Sequence, residues 1–146
     1  MNEILAASIR RFLGTSPRFK LVVVRGKVPI DGVNWLDVGY SIGELLDLNR
    51  KYEPCDMVFL ADALVSNIYA TVGTDERFGK AVGIYNVGIL FESQLDLSLE
   101  LILSRIAKTT LVFLRWDGDI IGSRLYLLHE GSPDYINIKD FNHIII

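Results

Sequence analysis

The apolar positions of this chain keep two periods, and the switches between them mark its elements. Between residues 2 and 13, Ile4, Leu5, Ile9 and Phe12 recur at helical spacing, with Asn2 placed to cap that helix and Gly14 to end it. After a connection containing Pro17, residues 21–24 (LVVV) form a continuous apolar run, the pattern of a strand buried on both faces. Residues 33–38 (VNWLDV) read as a second strand. Residues 41–48 (SIGELLDL) read as a helix capped by Ser41, with Glu44 completing a capping box. Lys51 to Pro54 break the pattern. Residues 56–72 then place Val58, Leu60, Ala61, Leu64, Val65, Ile68 and Tyr69 on one face of a helix.

The second half repeats the alternation. Residues 73–79 read as a charged loop, and residues 81–91 (AVGIYNVGILF) as a strand kinked at Gly83 or Gly88. Asp96 is placed to cap a helix running to about Lys108, with Leu99, Ile102, Leu103 and Ile106 inward. The alternation of Leu95, Leu97, Leu99 and Leu101 also fits a strand, but the continuation through Ser104 and Arg105 favours a helix. Residues 110–116 (TLVFLRW) form another buried strand. Asp117-Gly118 and Ile121-Gly122 supply turns, residues 124–129 a further strand, and residues 135–138 a short one. The tail, residues 143–146, carries three isoleucines and should be buried or paired.

Helices alternating with buried strands predict a single α/β domain over residues 1–146, with a mostly parallel sheet flanked by helices. Half of the residues are hydrophobic and 23% are charged, a globular balance. No apolar run reaches the roughly 18 residues of a membrane helix. The first residues are too polar, and too soon interrupted by Arg10 and Arg11, to act as a secretory signal. One cysteine, Cys55, excludes an internal disulfide and a cysteine zinc cage, and it reads as a semi-buried small apolar residue. The expected compartment is the cytoplasm.

Charge is unevenly spread. Arg10, Arg11, Arg18, Lys20, Arg25 and Lys27 face only Glu3 within residues 1–27, so that segment carries +5 and the remainder of the chain −8. A basic segment on an acidic body points to nucleic acid or an acidic partner as its contact. The plainer reading is a solvated helix face followed by a polar connection.

Gly26 and Lys27 stand where the strand at residues 21–24 would open into a phosphate-binding loop. Such a loop needs glycines, a lysine and a hydroxyl at G-x-x-x-x-G-K-[ST] spacing, so that backbone N–H groups hold the phosphates. Here the second glycine, Gly32, is followed by Val33 and Asn34. Pro29 removes an N–H donor, and Asp31 adds negative charge. Only Arg25 to Gly32 separate the two strands, too few for a helical crossover. The strands are therefore antiparallel neighbours or are joined by an irregular loop.

Between Tyr85 and Ile138 the chain carries, in order, Ile89-Leu90-Phe91, Trp116-Asp117-Gly118, Ser123-Arg124-Leu125 and Pro133-Asp134-Tyr135. In that order and spacing the segment resembles the BrxF-like small P-loop proteins of bacteriophage-exclusion (BREX) defence systems. Leu36-Asp37-Val38-Gly39 is similar to the family's strand after its first helix, so the likeness covers residues 20–138. The resemblance implies a P-loop NTPase-like fold. Against that pattern, the phosphate loop and its helix are deleted, leaving Gly26 to Gly32 as a bypass. Tyr85 and Gly88 stand where carboxylates are expected.

What the resemblance implies is thus a non-catalytic accessory subunit of an antiphage or DNA-modification system, without a working phosphate loop and without a cofactor. Its partners would be other defence-system proteins. Two rivals stay open: a nucleotide-binding ATPase subunit, and a DNA-contacting module. No residue is assigned a catalytic, cofactor-binding or metal-binding role. Asp117 and Asp119 fit a common turn composition better than a metal site, and His129 lacks a partner nucleophile. Trp35 and Trp116 read as core or pocket-edge residues. Arg10, Arg11, Arg18, Lys20, Arg25 and Lys27 remain as candidate partner or nucleic-acid contacts.

Overall fold

The computed structural model describes residues 1–46, 52–95 and 97–146. The expected end of the second helix at Leu48, the break at Lys51 and the cap at Asp96 lie outside the described residues.

The elements follow in the order α1 (Glu3–Gly14), β1 (Leu21–Arg25), β2 (Trp35–Asp37), α2 (Val38–Leu45), α3 (Pro54–Thr71), β3 (Gly73–Asp75) and β4 (Gly79–Tyr85). A 3₁₀ turn (Gly88–Phe91), α4 (Leu99–Ile106), β5 (Leu111–Trp116), β6 (Ile120–Ile121), β7 (Arg124–Tyr126), β8 (Tyr135–Asn137) and β9 (His143–Ile145) complete it. The main sheet runs β2-β4-β5-β1-β9, every neighbouring pair parallel, with β3 added antiparallel to the start of β4. The register sets Leu21 beside Val112, Val23 beside Ile145, and Trp35 beside Gly83. A second, antiparallel sheet joins β6, β7 and β8.

Two cores explain why β1 is apolar at every buried position. Leu21 and Val23 face α2, α3 and α4, and Val22 and Val24 face α1. The small sheet adds Leu125, Ile136 and Ile138 to the first core. The second core is closed by Ile9 and Ala6 of α1 and by Ile30, which comes from the connection between β1 and β2. That connection, residues 26–34, lies over the sheet as a strap. It crosses toward β2 on the α1 face, whereas α4 carries the chain the other way on the opposite face, so the crossovers share one hand.

Several elements differ from the expected ones. The strands at 21–24 and 33–38 are not antiparallel neighbours: they are parallel, β5 and β4 lie between them, and the irregular-loop alternative is the one adopted. The helix expected from Ser41 begins at Val38, because Asp37 accepts the Tyr40 N–H at 2.9 Å and takes the cap. Ser41 is instead buried, and its hydroxyl accepts from Asn67 of α3 at 2.9 Å. The fourth helix is capped by Ser98, which accepts the Leu101 N–H at 3.2 Å. The expected loop at 73–79 is largely the β3–β4 hairpin. The expected strand at 81–91 stops at Tyr85, where Asn86 turns the chain with φ 56°. The strand from Arg124 ends at Tyr126. Ile4 is 79% exposed and Val58 61%, so α1 turns Ala6 inward and α3 turns Met57 inward. Cys55 is exposed in the first turn of α3, not semi-buried. Among the described residues no helix is long and apolar enough to cross a membrane.

Trp35 shows how side chains fix the sheet. Its indole lies flat across Gly83 on the neighbouring strand, where a Cβ would come within 2.3 Å of the ring. Phe113 and Tyr85 flank it, with ring centroids 6.5 and 6.4 Å away. Glycine is required there by close approach. A Gly83→Ala change is expected to lower unfolding stability by about 1–3 kcal/mol through overpacking. Urea denaturation of Gly83→Ala, Trp35→Ala and the double variant checks this: in the double variant much of the Gly83→Ala penalty disappears.

Candidate functional site

In parallel α/β sheets, ligand sites gather where the strands end. Here that edge is formed by Arg25 and Gly26 at the end of β1, Asp37 at the end of β2, Asn86 after β4 and Asp117 after β5. The structure therefore brings Gly26 and Lys27 to the location expected for a phosphate loop. What it builds there is different.

Gly26 donates its N–H to the Trp116 carbonyl at 3.0 Å, extending the ladder by one residue. Val28 donates back to the Arg25 carbonyl at 3.3 Å. The carbonyls of Gly26 and Val28 both accept from Nη1 of Arg115, the latter at 3.0 Å. The same guanidinium stacks over Trp35, 4.7 Å from the ring centre. The loop thus turns acceptor oxygens toward a cation of its own sheet. A phosphate cradle needs the reverse polarity, with N–H donors converging and a helix start behind them. Lys27 is exposed.

Further along, the strap is pinned by charge. Arg77 forks onto Asp75, with Nε to Oδ1 at 3.1 Å and Nη2 to Oδ2 at 2.9 Å. Its Nη2 also donates to the Asp31 carbonyl at 2.8 Å, and the Asp31 carboxylate meets the Met1 α-amino group at 2.7 Å. Gly32 passes with φ +76°, and a Cβ there would sit 3.0 Å from the Asp75 carboxylate. The hydrogen-bonded Arg77 guanidinium holds the buried Asp75 carboxyl below its ordinary value of 3.8. The Met1 ammonium, hydrogen-bonded to Asp31, does the same to that exposed carboxyl.

The second half of a nucleotide site would lie at the ends of β2 and β4. Asp37 is engaged there: besides capping α2, it accepts from Asn86 Nδ2 at 2.8 Å. Tyr85 closes β4 beside Asp37, and Gly88 opens the 3₁₀ turn. A cleft of about 160 Å³ between the ends of β4 and β5 is lined by Asn86, Gly88, Arg115 and Asp117. Asp119 accepts the Glu130 N–H at 2.8 Å and so serves its turn. Among the described residues, no group of three or more His, Cys, Asp or Glu side chains is placed to hold a metal ion. His129 is exposed, with Nδ1 3.2 Å from the Glu130 carbonyl. Trp116 is buried and donates to the Tyr126 carbonyl at 2.8 Å.

The six basic candidates are not one patch. Arg10 and Arg11 are exposed on α1, Arg10 paired with Glu3. Arg18 stacks on Phe19 at 5.2 Å and, with Lys20, precedes β1. Arg25 and Lys27 lie at the other end of that strand. Five strand residues at about 3.3 Å each keep the two groups apart. The residues that organise the edge, Arg115 and the Asp75–Arg77 pair, were not among the candidates. The signal for Arg115 was a lone charge inside the apolar run LVFLRW.

Two outcomes follow from this geometry. Replacing Arg115 with Met leaves two strap carbonyls without their donor, and is expected to cost about 2–3 kcal/mol. Amide exchange should then quicken at residues 26–30 while the α2–α4 core stays protected. Because the folded Asp75 pKa is lowered, its pairing contributes fully above about pH 4 and is lost as pH falls through the lower folded value. Urea midpoints taken from about pH 6 down to pH 2 should fall more steeply for the parent chain than for Asp75→Asn. No family model matches the chain, and no curated protein or solved structure matches it.

Proposed function

We propose that this chain is a non-hydrolytic, P-loop-like interaction subunit of a bacterial antiphage or DNA-modification assembly. The observation that carries the non-hydrolytic part is the strap. It follows β1 directly without a helix, and its carbonyls at Gly26 and Val28 are committed to Arg115. Fold supports the P-loop part by analogy. Taken in chain order, the parallel strands β1, β2, β4, β5 and β9 lie across the sheet as 5-1-4-3-2. A mostly parallel sheet with helices on both faces is compatible with that fold, and the likeness is one of architecture alone. The defence-system part rests on the resemblance of residues 20–138 to the BrxF-like proteins, with Tyr85 and Gly88 in place of the expected carboxylates.

The ATPase reading lacks an observation of its own, since Lys27 has no converging N–H donors behind it. The DNA-contacting reading is weakened by the division of the basic residues between the two ends of β1.

The test is twofold. Millimolar Mg-ATP should leave the melting temperature of the purified chain unchanged, since a ligand held at 100 times its Kd would stabilise it by about 2.7 kcal/mol. Saturable hydrolysis that disappears in Lys27→Ala overturns the non-hydrolytic reading. Affinity purification of the tagged chain from its host, with and without nuclease, should recover stoichiometric defence-system proteins in both samples. Recovery of the chain alone overturns the assembly reading, and loss of partners after nuclease makes DNA the tether.

A further inference from the structure

The outer edge of β9 is an unfinished ladder. Ile146 donates its N–H to the Val23 carbonyl and accepts from the Arg25 N–H, both at 2.9 Å. Peptide groups alternate sides along a strand, so Ile144 and Ile146 bond inward to β1. The N–H and C=O of His143 and Ile145 therefore point outward. Among the described residues no further strand pairs with β9. Unpaired edges of this kind are templates for strand addition.

Beside this edge, α1 and β9 enclose a groove of about 570 Å³. Ser8, Arg11, Phe12 and Thr15 form one wall, and Asn142 with residues 143–146 the other. The helical wall is a single face, at i, i+3, i+4 and i+7. Among the described residues no Asp or Glu side chain lines the groove. Arg11 is exposed and makes no ion pair among the described residues, in contrast to Arg10, which is neutralised by Glu3. The groove thus offers apolar contact from Ile144 and Ile146, hydroxyls from Ser8 and Thr15, and the exposed Arg11 cation.

We propose that β9 and the α1 groove receive, by strand addition, an extended segment of a partner protein that carries a carboxylate opposite Arg11. This rests on the reading of the chain as an interaction subunit and names the chemistry of its partner. Main-chain hydrogen bonds to His143 and Ile145 supply sequence-independent affinity. Alternate side chains enter the groove, where Arg11 selects acid over base. Charge also argues against a second copy as occupant. A two-fold β9–β9 pairing sets both α1 helices on the same face, with Arg11 near its own image and two basic N-terminal segments together.

The probe is a fluorescent peptide of alternating valine and glutamate, with its valine–lysine counterpart as control, titrated with the full chain and read by anisotropy. Ile145→Pro removes the outward N–H without removing a native ladder bond. Arg11→Glu reverses the exposed charge and leaves the backbone intact, so it serves even if the proline variant folds poorly. The glutamate peptide should bind the parent chain and lose at least about tenfold in Ile145→Pro. Arg11→Glu should weaken it about two- to fivefold and favour the lysine peptide. No binding by the parent chain, equal binding of the two peptides, or binding indifferent to both substitutions overturns the proposal. A dimer in sedimentation that Ile145→Pro dissolves also overturns it, giving the edge to a second copy. Partner proteins recovered equally by the parent chain and both variants overturn the edge alone. Absence of any partner strikes the interaction-subunit reading itself.

Discussion

One guanidinium holds the strap half of the molecule in place. Arg115 is the charge within the apolar strand β5, and its side chain emerges on the α1 face. There it lies between the Trp35 ring and two carbonyls of residues 26–28. A charged group in such a place must be paired or hydrogen-bonded to be tolerated. The strap satisfies that need with backbone oxygens, and in return it is held down across the sheet. Ile30 then joins Val22, Val24 and Phe113 in the core beneath α1. Charge and apolar burial therefore require each other at this point.

The far end of the strap obeys the same logic with different groups. Asp75, buried at the β3–β4 hairpin, binds Arg77 in a fork, and the spare reach of that arginine captures the Asp31 carbonyl. A segment without helix or strand has many backbone polar groups to satisfy. Two arginines from separate strands and their turns answer for several of them. The arrangement gives an irregular connection a defined path across the ends of the parallel strands.

Legibility in the sequence followed burial. The runs LVVV and TLVFLRW announced central strands because a residue covered on both sides has no polar alternative. Asn2 and the Ile9–Phe12 spacing announced α1 for a similar reason. Boundaries set by competition between neighbours were harder. Asp37 and Ser41 are both good caps, and only the end of β2 beside Asn86 decides for Asp37. The hairpin at 73–79 looked like a loop because its glycines and charges serve the Asp75–Arg77 fork. Strand order was invisible for a further reason: the strap's length forbids a helical crossover but does not forbid an extended one. At the candidate site, Pro29 and Asp31 already showed in the sequence that residues 26–32 do not follow a phosphate-loop pattern. The role of Arg115 was not, because its partners are backbone atoms nearly ninety positions away.

The position of β1 also sets a schedule for assembly. This strand lies near the start of the chain, yet both of its neighbours, β5 and β9, come from its last third. During synthesis an apolar strand with two open sides must wait while α2, α3, β4 and α4 emerge. Pairings between remote segments form slowly, and unpaired strands are prone to associate wrongly in the interval. Helix α1, already made and apolar along the face that meets Val22 and Val24, is the first element able to shield β1. On the ribosome, then, the helix that walls the β9 groove in the finished protein would act as a temporary cover for a strand without partners.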